Sequence, residues 1–173
     1  MPNQKPQAIS GVSASVENVI RIEYPSIAST GLGKMLGSLY NSMPLQLGTV
    51  KLSYLLFPLP TAPLGLIPYT LLKLAGQRYI LTNRSMQKWA SLGNRLLSQV
   101  ALSQVAEVLV EQLPGQEFYK AADLELLAAD GTPLMRLEGV KRAEVFRQSI
   151  LEARDALLQV ESSLATIQAR QPA

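Results

Sequence analysis

Charged side chains are distributed unevenly along this 173-residue chain, and their distribution limits the chemistry available to it. No aspartate or glutamate occurs between Glu23 and Glu107, whereas seven basic residues do. A purely basic stretch of this length indicates an anionic partner, either a phosphate backbone or a lipid headgroup. The seven basic residues are Lys34, Lys51, Lys73, Arg78, Arg84, Lys88 and Arg95.

The side chains that most often perform catalysis are missing from the sequence. The chain has no histidine and no cysteine, which removes the commonest general base, the thiol nucleophile and the commonest metal ligands. An enzyme would have to use carboxylates such as Asp123, Glu125 and Asp130, and the first two fit the outward face of a half-buried strand. We therefore expect a non-catalytic protein without a metal or cofactor, and a lipid-acting enzyme is the minor alternative.

An uncharged apolar stretch, residues 52–72, favours lipid over nucleic acid as the anionic partner. The chain is 47% hydrophobic and 17% charged, whereas an average soluble domain has roughly a quarter charged residues. As one helix, these residues would just cross a bilayer core of about 30 Å. Aromatic residues are not interleaved with the basic ones as stacking on nucleic acid requires, so we expect no nucleic-acid partner.

Prolines in this stretch predict a membrane hairpin or re-entrant loop rather than one straight helix, because each removes a backbone hydrogen-bond donor. Basic residues flank the stretch on both sides, which would place both of its ends on the cytoplasmic face. The alternative is a buried proline-rich loop. The four prolines are Pro58, Pro60, Pro63 and Pro68. The residues expected to enter the membrane are Leu55, Leu56, Phe57, Leu64, Leu66, Ile67 and Tyr69. The expected headgroup or partner contacts are Lys73, Arg78, Arg84 and Lys88.

The elements that must position these side chains fall into four segments. Residues 1–15 are polar and are predicted to be a disordered leader. Residues 16–76 contain an alternating pattern typical of a strand (residues 16–24), a short amphipathic helix (residues 32–43) and the apolar stretch. Residues 77–156 begin with short strand-like runs separated by turn signals such as Asp130-Gly131, which predict a small antiparallel sheet or barrel. Helix is the competing prediction for residues 96–113.

A long C-terminal helix is predicted from Arg142 to Arg170, where neither glycine nor proline occurs. Its apolar residues are spaced alternately by four and three, as in a heptad seam. The first half of the helix would cover the end of the sheet. The extension and tail, residues 157–173, would overshoot it and pack on a second copy, on the membrane or on the N-terminal segment. The expected self-association residues are Leu157, Val160, Leu164 and Ile167.

The residues Tyr79-x-Leu81-Thr82-Asn83-Arg84, placed directly after the apolar stretch, resemble the start of bacterial pleckstrin-homology domains found in small membrane-attached proteins. Residues 100–105, 117–125 and 137–140 resemble later strands of that family, and the helix from Arg142 resembles its last helix. Ser85-Met86 depart from the basic and β-branched pair usual at this point. The resemblance covers roughly residues 78–156 and implies a seven-stranded, two-sheet barrel capped by a helix.

These patterns together predict an α+β protein on the cytoplasmic side of a membrane. A small antiparallel pleckstrin-homology-like β-barrel, capped by a long C-terminal α-helix, would follow an apolar membrane-associating segment. Such a module would recruit a protein partner or sense anionic lipid. The alternative is an accessory subunit packed against a larger membrane protein complex, which the sequence does not separate from the first interpretation.

Overall fold

The computed structural model describes residues 17–42, 46–47, 50–51 and 58–170, and these residues contain nine strands and three α-helices. The helices are α1 (Gly31–Asn41), α2 (Pro58–Ala75) and α3 (Ala143–Arg170). The strands are β1 (Val19–Glu23), β2 (Gln46–Leu47), β3 (Val50–Lys51), β4 (Gln77–Thr82), β5 (Ser85–Ala90), β6 (Leu96–Ala101), β7 (Glu107–Glu111), β8 (Ala121–Leu127) and β9 (Pro133–Lys141). The α+β class predicted from the sequence is confirmed.

The first sheet is antiparallel and has the strand order β1-β4-β5-β6. Its edge strand β1 pairs with β4, with Ile22 opposite Ile80. The sheet therefore takes strands from both sides of residue 76, where the sequence predicted a boundary. Residues 96–101 are extended and pair with β5, so the competing helical prediction for residues 96–113 is wrong.

The second sheet has the strand order β7-β8-β9 and contains the predicted hairpin at Asp130-Gly131. Gly131 has a φ of +81°, a conformation that glycine adopts at little cost. Asp130 accepts hydrogen bonds from the backbone N–H and the hydroxyl of Thr132, at 3.0 and 2.7 Å. The return strand predicted for residues 133–137 is present and extends to Lys141.

Closure of the strands into a barrel is not found among the described residues. Besides the β2-β3 pair, they form two separate sheets. The interruption lies where β6 ends at Ala101, because a 3-10 turn at Leu102–Gln104 then leads the chain into the other sheet. Antiparallel sheets followed by a C-terminal helix are confirmed, whereas the predicted closed barrel is not.

The core lies between the two sheets and the first half of α3. Phe146 and Ile150 of α3 are fully buried, which confirms that this half of the helix covers the sheets. The strands contribute further buried residues to the same cluster, including Tyr79, Leu81, Met86, Leu124, Leu126 and Leu137. Burying each large apolar side chain contributes about 1.5–3 kcal/mol to stability.

Helix α1 packs closely on the second sheet's side of the molecule through its glycines. Thr30 caps the helix by accepting a hydrogen bond from Gly33 N at 3.0 Å. At Gly37, an added Cβ would lie 2.0 Å from the carbonyl oxygen of Gly115. This close approach places Gly37 and its buried neighbour Leu36 on the inner side of the helix, whereas Met35 is 61% exposed.

Helix α2 replaces the hairpin predicted for the proline-containing stretch. It runs without a break from Pro58 to Ala75, so that prediction is wrong for the part of the stretch that is described. Pro58 and Pro60 occupy the first turn, where the backbone N–H groups have no partner within the helix. Only Pro63 and Pro68 lie inside the helix, each at the cost of one backbone hydrogen bond.

Candidate functional site

Helix α2 exposes an apolar surface, which we call the α2 surface. It consists of five large side chains that are each 53–70% exposed, namely Leu66, Ile67, Tyr69, Leu71 and Leu74. The opposite side of the helix faces the body of the protein. There Pro68 is buried, and the hydroxyl groups of Tyr40 and Thr61 are 2.6 Å apart in a hydrogen bond. Helix α2 is therefore attached along one side and unpartnered along the other among the described residues.

An apolar groove of about 390 Å³ continues the α2 surface towards α1. Ile67 and Leu71 line it from α2, and Leu32 lines it from the first turn of α1. Met35 is exposed one helical turn beyond Leu32. The apolar surface thus spans two helices, and contiguous exposed apolar patches of this kind mark interaction sites.

A larger cavity of about 670 Å³ lies where α2 meets the first sheet, and we call it the cationic cleft. Three basic residues, Lys73, Arg78 and Lys141, line it, and none of its other described lining residues is acidic. Its polar and apolar walls are formed by Tyr24, Pro25, Ser26, Ile27, Tyr69, Leu72, Gln77, Ser91 and Tyr119. The cleft therefore combines a positive charge with a largely apolar wall.

A tight connection between α2 and β4 brings Lys73 and Arg78 to the same cleft. Gly76 N donates a hydrogen bond to Leu72 O at 2.9 Å, and Ser91 N donates one to Gly76 O at 2.8 Å. A Cβ at Gly76 would lie 2.0 Å from the oxygen of Leu72, so a larger residue would force this turn open. The last turn of the helix and the first residues of the strand are thereby held together.

Arg78 is the basic residue most firmly placed in the cationic cleft. Its guanidinium group lies 5.9 Å from the centre of the Trp89 ring, within the range of a cation–π contact, and it donates a hydrogen bond to the side chain of Asn94. Its Nε is buried and has no hydrogen-bond partner among the described residues. A buried donor of this kind is costly unless a ligand or water satisfies it.

Tyrosine side chains surround the three basic groups. Tyr24 and Tyr69 are exposed. Burial raises the pKa of Tyr119 to about 12, with a smaller electrostatic contribution from the nearby Tyr40. The Tyr119 hydroxyl therefore stays protonated at neutral pH and can donate a hydrogen bond. With three cations and phenol groups, the cleft is equipped to bind an anion that is attached to an apolar body.

Comparisons of the chain with family models, curated protein sequences and solved structures find no significant match. The function must therefore be argued from the site itself.

Of the residues predicted to enter the membrane, three lie on the α2 surface: Leu66, Ile67 and Tyr69. The predictions for Leu55, Leu56, Phe57 and the side chain of Leu64 fall outside what the structure describes. No helix within the described ranges is long and apolar enough to cross a membrane.

The four predicted headgroup contacts do not form one cluster. Lys73 and Arg78 share the cationic cleft. Arg84 is exposed in the turn between β4 and β5, and Lys88 donates to the backbone oxygen of Arg136 at 3.4 Å. Neither Arg84 nor Lys88 lines the cleft.

The Thr-Asn-Arg motif that carries the family resemblance locks the turn between β4 and β5. The Thr82 hydroxyl accepts a hydrogen bond from Ser85 N at 2.8 Å. Asn83 exchanges hydrogen bonds with the backbone of Asn18, at 2.8 and 3.0 Å. Glu17 accepts from the hydroxyl groups of Ser85 and Thr82 at 2.5 and 2.7 Å, and these bonds lower its pKa. The motif thus joins the start of β1 to the hairpin.

Asp123 is buried, at 2% exposure, and the prediction that it lies on an outward face is wrong. The pairing of β8 with β9 shifts register between Ala122 and Leu124, so the simple alternation of strand faces fails there. The carboxylate accepts from Gly139 N at 2.9 Å, Arg136 Nη2 at 2.9 Å and Gln116 Nε2 at 2.5 Å. We call these residues the Asp123 network.

The pKa of Asp123 reflects two opposing effects. Burial raises it, but the hydrogen bonds from Gly139, Arg136 and Gln116, with Lys34 nearby, lower it further, and the pKa is lowered overall. Lys34 Nζ lies 3.9 Å from the carboxylate. The carboxylate therefore joins β8, β9 and α1 as a buried, paired charge. Within the described ranges, no group of three or more acidic side chains is placed to hold a metal ion.

The predicted self-association seam is divided by the fold. Leu157 belongs to the core cluster, so the prediction that it faces a partner is wrong. Val160 is half-buried, whereas Leu164 and Ile167 are 39% and 54% exposed. The alternating spacing of four and three continues along the whole helix and does not show where the sheets end. The same row of apolar residues is therefore buried at Leu157 and exposed at Leu164 and Ile167.

Sequence reasoning missed several residues of the cationic cleft, including Tyr24, Tyr119 and Lys141. They come from segments far apart in the chain and share no motif. Tyr24 continues the alternation of β1, and Lys141 ends β9 next to a second basic residue, Arg142. These local signals mark element ends but do not reveal that the ends meet.

Proposed function

We propose that this protein is a non-catalytic membrane-surface module that lies on an anionic bilayer through the α2 surface. The observation that carries the proposal is the row of five large apolar side chains that α2 leaves more than half exposed. Proteins in water rarely expose contiguous apolar patches without using them for interaction. An apolar helix face lying in the headgroup region would remove these side chains from water.

Basic residues at the end of α2 support a lipid surface as the partner. Lys73 lies in the last turn of the helix, and Arg78 is the second residue of the next strand. Each Lys or Arg near an anionic surface contributes roughly 1 kcal/mol to binding. Apolar burial and charge attraction would therefore act on the same side of the molecule, as in other interfacial helices.

The pleckstrin-homology-like assignment is part of this proposal. Two antiparallel sheets of four and three strands, followed by a C-terminal helix, support it. Six of these seven strands, β4–β9, lie in the range that the sequence resemblance covers, and β1 precedes that range. In this interpretation α2 is an insertion between the first two strands of the module, β1 and β4, and it attaches the module to the cytoplasmic face of the membrane. Its role would be to sense anionic lipid or to recruit a protein there.

The alternative is an accessory subunit of a larger membrane protein complex. The same exposed side chains would then pack against protein rather than lipid. The groove between α1 and α2 favours this alternative, since grooves of this kind accept side chains of a partner. Binding to protein-free vesicles distinguishes the two functions.

Flotation of the purified full chain with vesicles tests the proposal. We expect binding to phosphatidylglycerol vesicles and much weaker binding to phosphatidylcholine vesicles. The double variant Leu66→Ser with Leu74→Ser should reduce binding at least tenfold, because both side chains are exposed and their loss leaves the core intact. The matched control is Leu109→Ser with Leu158→Ser, which removes one exposed leucine from β7 and one from α3, both outside the α2 surface. Failure of the unaltered chain to float with either vesicle would overturn the proposal.

A further inference from the structure

We infer that the cationic cleft binds a single anionic amphiphile, a molecule with a carboxylate or phosphate head and an apolar body. The inference rests on the proposed function only for the lipid-like character of the ligand. The proposed function gives α2 a contact with many lipids of a bilayer. The inference adds a separate site in the protein that binds one molecule.

The dimensions of the cleft fit one small molecule. Its volume of about 670 Å³ falls within the range of roughly 300–1,000 Å³ that is usual for ligand pockets. Pro25, Ile27 and Leu72 provide apolar wall, which an inorganic anion would leave uncovered. An alkyl chain or a ring system would contact this wall and remove it from water.

The charges of the cleft specify the sign of the ligand head. Lys73, Arg78 and Lys141 come from three different elements, and no acidic residue lies among the described residues that line the cleft. Bringing three cations together is unfavourable unless an anion neutralises them. A carboxylate or phosphate would supply that charge and accept short, strong hydrogen bonds from these groups.

A second observation concerns the placement of Arg78. Its guanidinium group lines the cleft and is held in place by the side chain of Asn94 and by the Trp89 ring. An arginine fixed in this way is pre-organised for an acceptor in the cleft. The tyrosine hydroxyl groups at the edge of the cleft offer further donors.

The position of the cleft beside α2 indicates how a ligand from the membrane would reach it. Tyr69 and Lys73 belong to α2 and also line the cleft, so the cleft opens beside the helix that we place in the headgroup layer. One lipid drawn partly out of the bilayer, or a free fatty acid, could occupy it. The shared chemistry is an anionic head on an apolar chain, and the experiment must separate the two sources.

Equilibrium dialysis of the full chain without vesicles tests the inference directly. The probes are decanoate, a short-chain phosphatidic acid below its micellar concentration, decanol and inorganic phosphate. We expect one equivalent of decanoate or of phosphatidic acid to bind, and the tighter of the two identifies the source. Decanol and phosphate should bind at least tenfold more weakly. Equal binding of decanol would indicate a purely apolar pocket, equal binding of phosphate would indicate a simple anion site, and either result would overturn the inference.

Two variants locate the site and distinguish its failure from failure of the proposed function. Lys73→Gln with Lys141→Gln should weaken decanoate binding at least tenfold, because both side chains are exposed and line the cleft. The control Arg95→Gln with Arg170→Gln changes the net charge equally at exposed positions outside the cleft and should bind normally. An equal loss in both would show a non-specific charge effect and contradict the inference.

The fluorescence of Trp89 gives a second readout, since it is the only tryptophan of the chain and contacts Arg78. Its emission should shift in step with occupancy. The variant Leu66→Ser with Leu74→Ser should keep decanoate binding while losing vesicle binding. Loss of both activities would mean that there is no separate cleft site. Vesicle binding by the unaltered chain, with no binding of either decanoate or the short-chain phosphatidic acid, would overturn the inference alone.

Discussion

Two groups of charged residues in this protein have opposite surroundings. In the Asp123 network, a carboxylate that is 2% exposed is surrounded by donors from Gly139, Arg136 and Gln116. In the cationic cleft, Lys73, Arg78 and Lys141 meet at a cavity without an acidic residue among its described lining. Both groups draw on elements that are distant in sequence.

The difference between the two groups separates a structural charge from a binding charge. A buried charge that several hydrogen bonds hold is committed to the fold, because loss of a partner leaves the charge less compensated. Cations beside an open cavity are not committed in this way and gain most when an anion arrives. Variants of the Asp123 network should therefore change stability, whereas variants of the cleft should change binding.

The largest expected effect is that of Asp123→Leu. It removes the acceptor of the Gly139 N–H and of two side chains, so we expect a loss of about 3 kcal/mol in the free energy of unfolding. Urea denaturation followed by circular dichroism measures it. The control Glu161→Leu removes the same charge from an exposed position and should change stability by less than about 0.5 kcal/mol. Equal effects of the two would refute the distinction.

Substitution Gly37→Ala should have the next largest effect. Its Cβ would lie 2.0 Å from the oxygen of Gly115, so α1 would have to move away, at a cost of about 2 kcal/mol. The movement should also disturb α2, which is hydrogen-bonded to α1 through Tyr40. Gly31→Ala is the matched control, because no atom of the described residues lies within 4 Å of its added Cβ. A neutral Gly37→Ala would show that this close contact is absent in solution.

The pH dependence of stability should separate the two groups as well. Because folding lowers the pKa of Asp123 below its ordinary value of 3.8, its contribution is present above about pH 4 and is lost as pH falls through the folded pKa. The stability difference between the wild type and Asp123→Asn should therefore narrow from pH 5 to pH 3. Urea midpoints at each pH measure the difference. A constant difference would mean that the carboxylate is not held ionised in the folded state.

The elements of the fold were largely predictable from local patterns. Alternation and turn residues identified β8, β9 and the hairpin at Asp130-Gly131, and the absence of glycine and proline identified α3. The errors occur where a local rule meets a tertiary contact. A register shift turns Asp123 inward, and two of the four prolines fall in the first turn of α2, where they cost little.

The candidate site was predictable only in part, for a related reason. The apolar stretch and its basic flank identified Lys73 and Arg78 as candidate contacts, because these residues adjoin the stretch in the sequence, but the prolines predicted a hairpin where α2 lies. Tyr119 and Lys141 join them only after β8 and β9 have paired and placed the ends of those segments beside β4. Residues that come together from distant segments do not recur at a fixed spacing, so no pattern in the sequence identifies them.

The smallest effect on stability is expected at the end of α3. Residues 161–170 are exposed throughout, so removing them should change the free energy of unfolding by less than about 0.5 kcal/mol. Exposed Leu164 and Ile167 nevertheless share one side of the helix, three residues apart, and such a stripe favours pairing with another helix. We predict that the full chain self-associates and that Leu164→Ser with Ile167→Ser abolishes this at unchanged stability.

Sedimentation equilibrium over a range of protein concentrations measures the self-association, and Gln159→Ser with Gln168→Ser is the matched control. This control changes two exposed polar residues of the same helix segment and should leave the association constant unchanged. A monomeric full chain at every concentration would remove self-association as the role of this segment. Because Leu164 and Ile167 are exposed and lie outside the core cluster, a loss of stability in their double variant would also contradict the separation between residues that hold the fold and residues that bind.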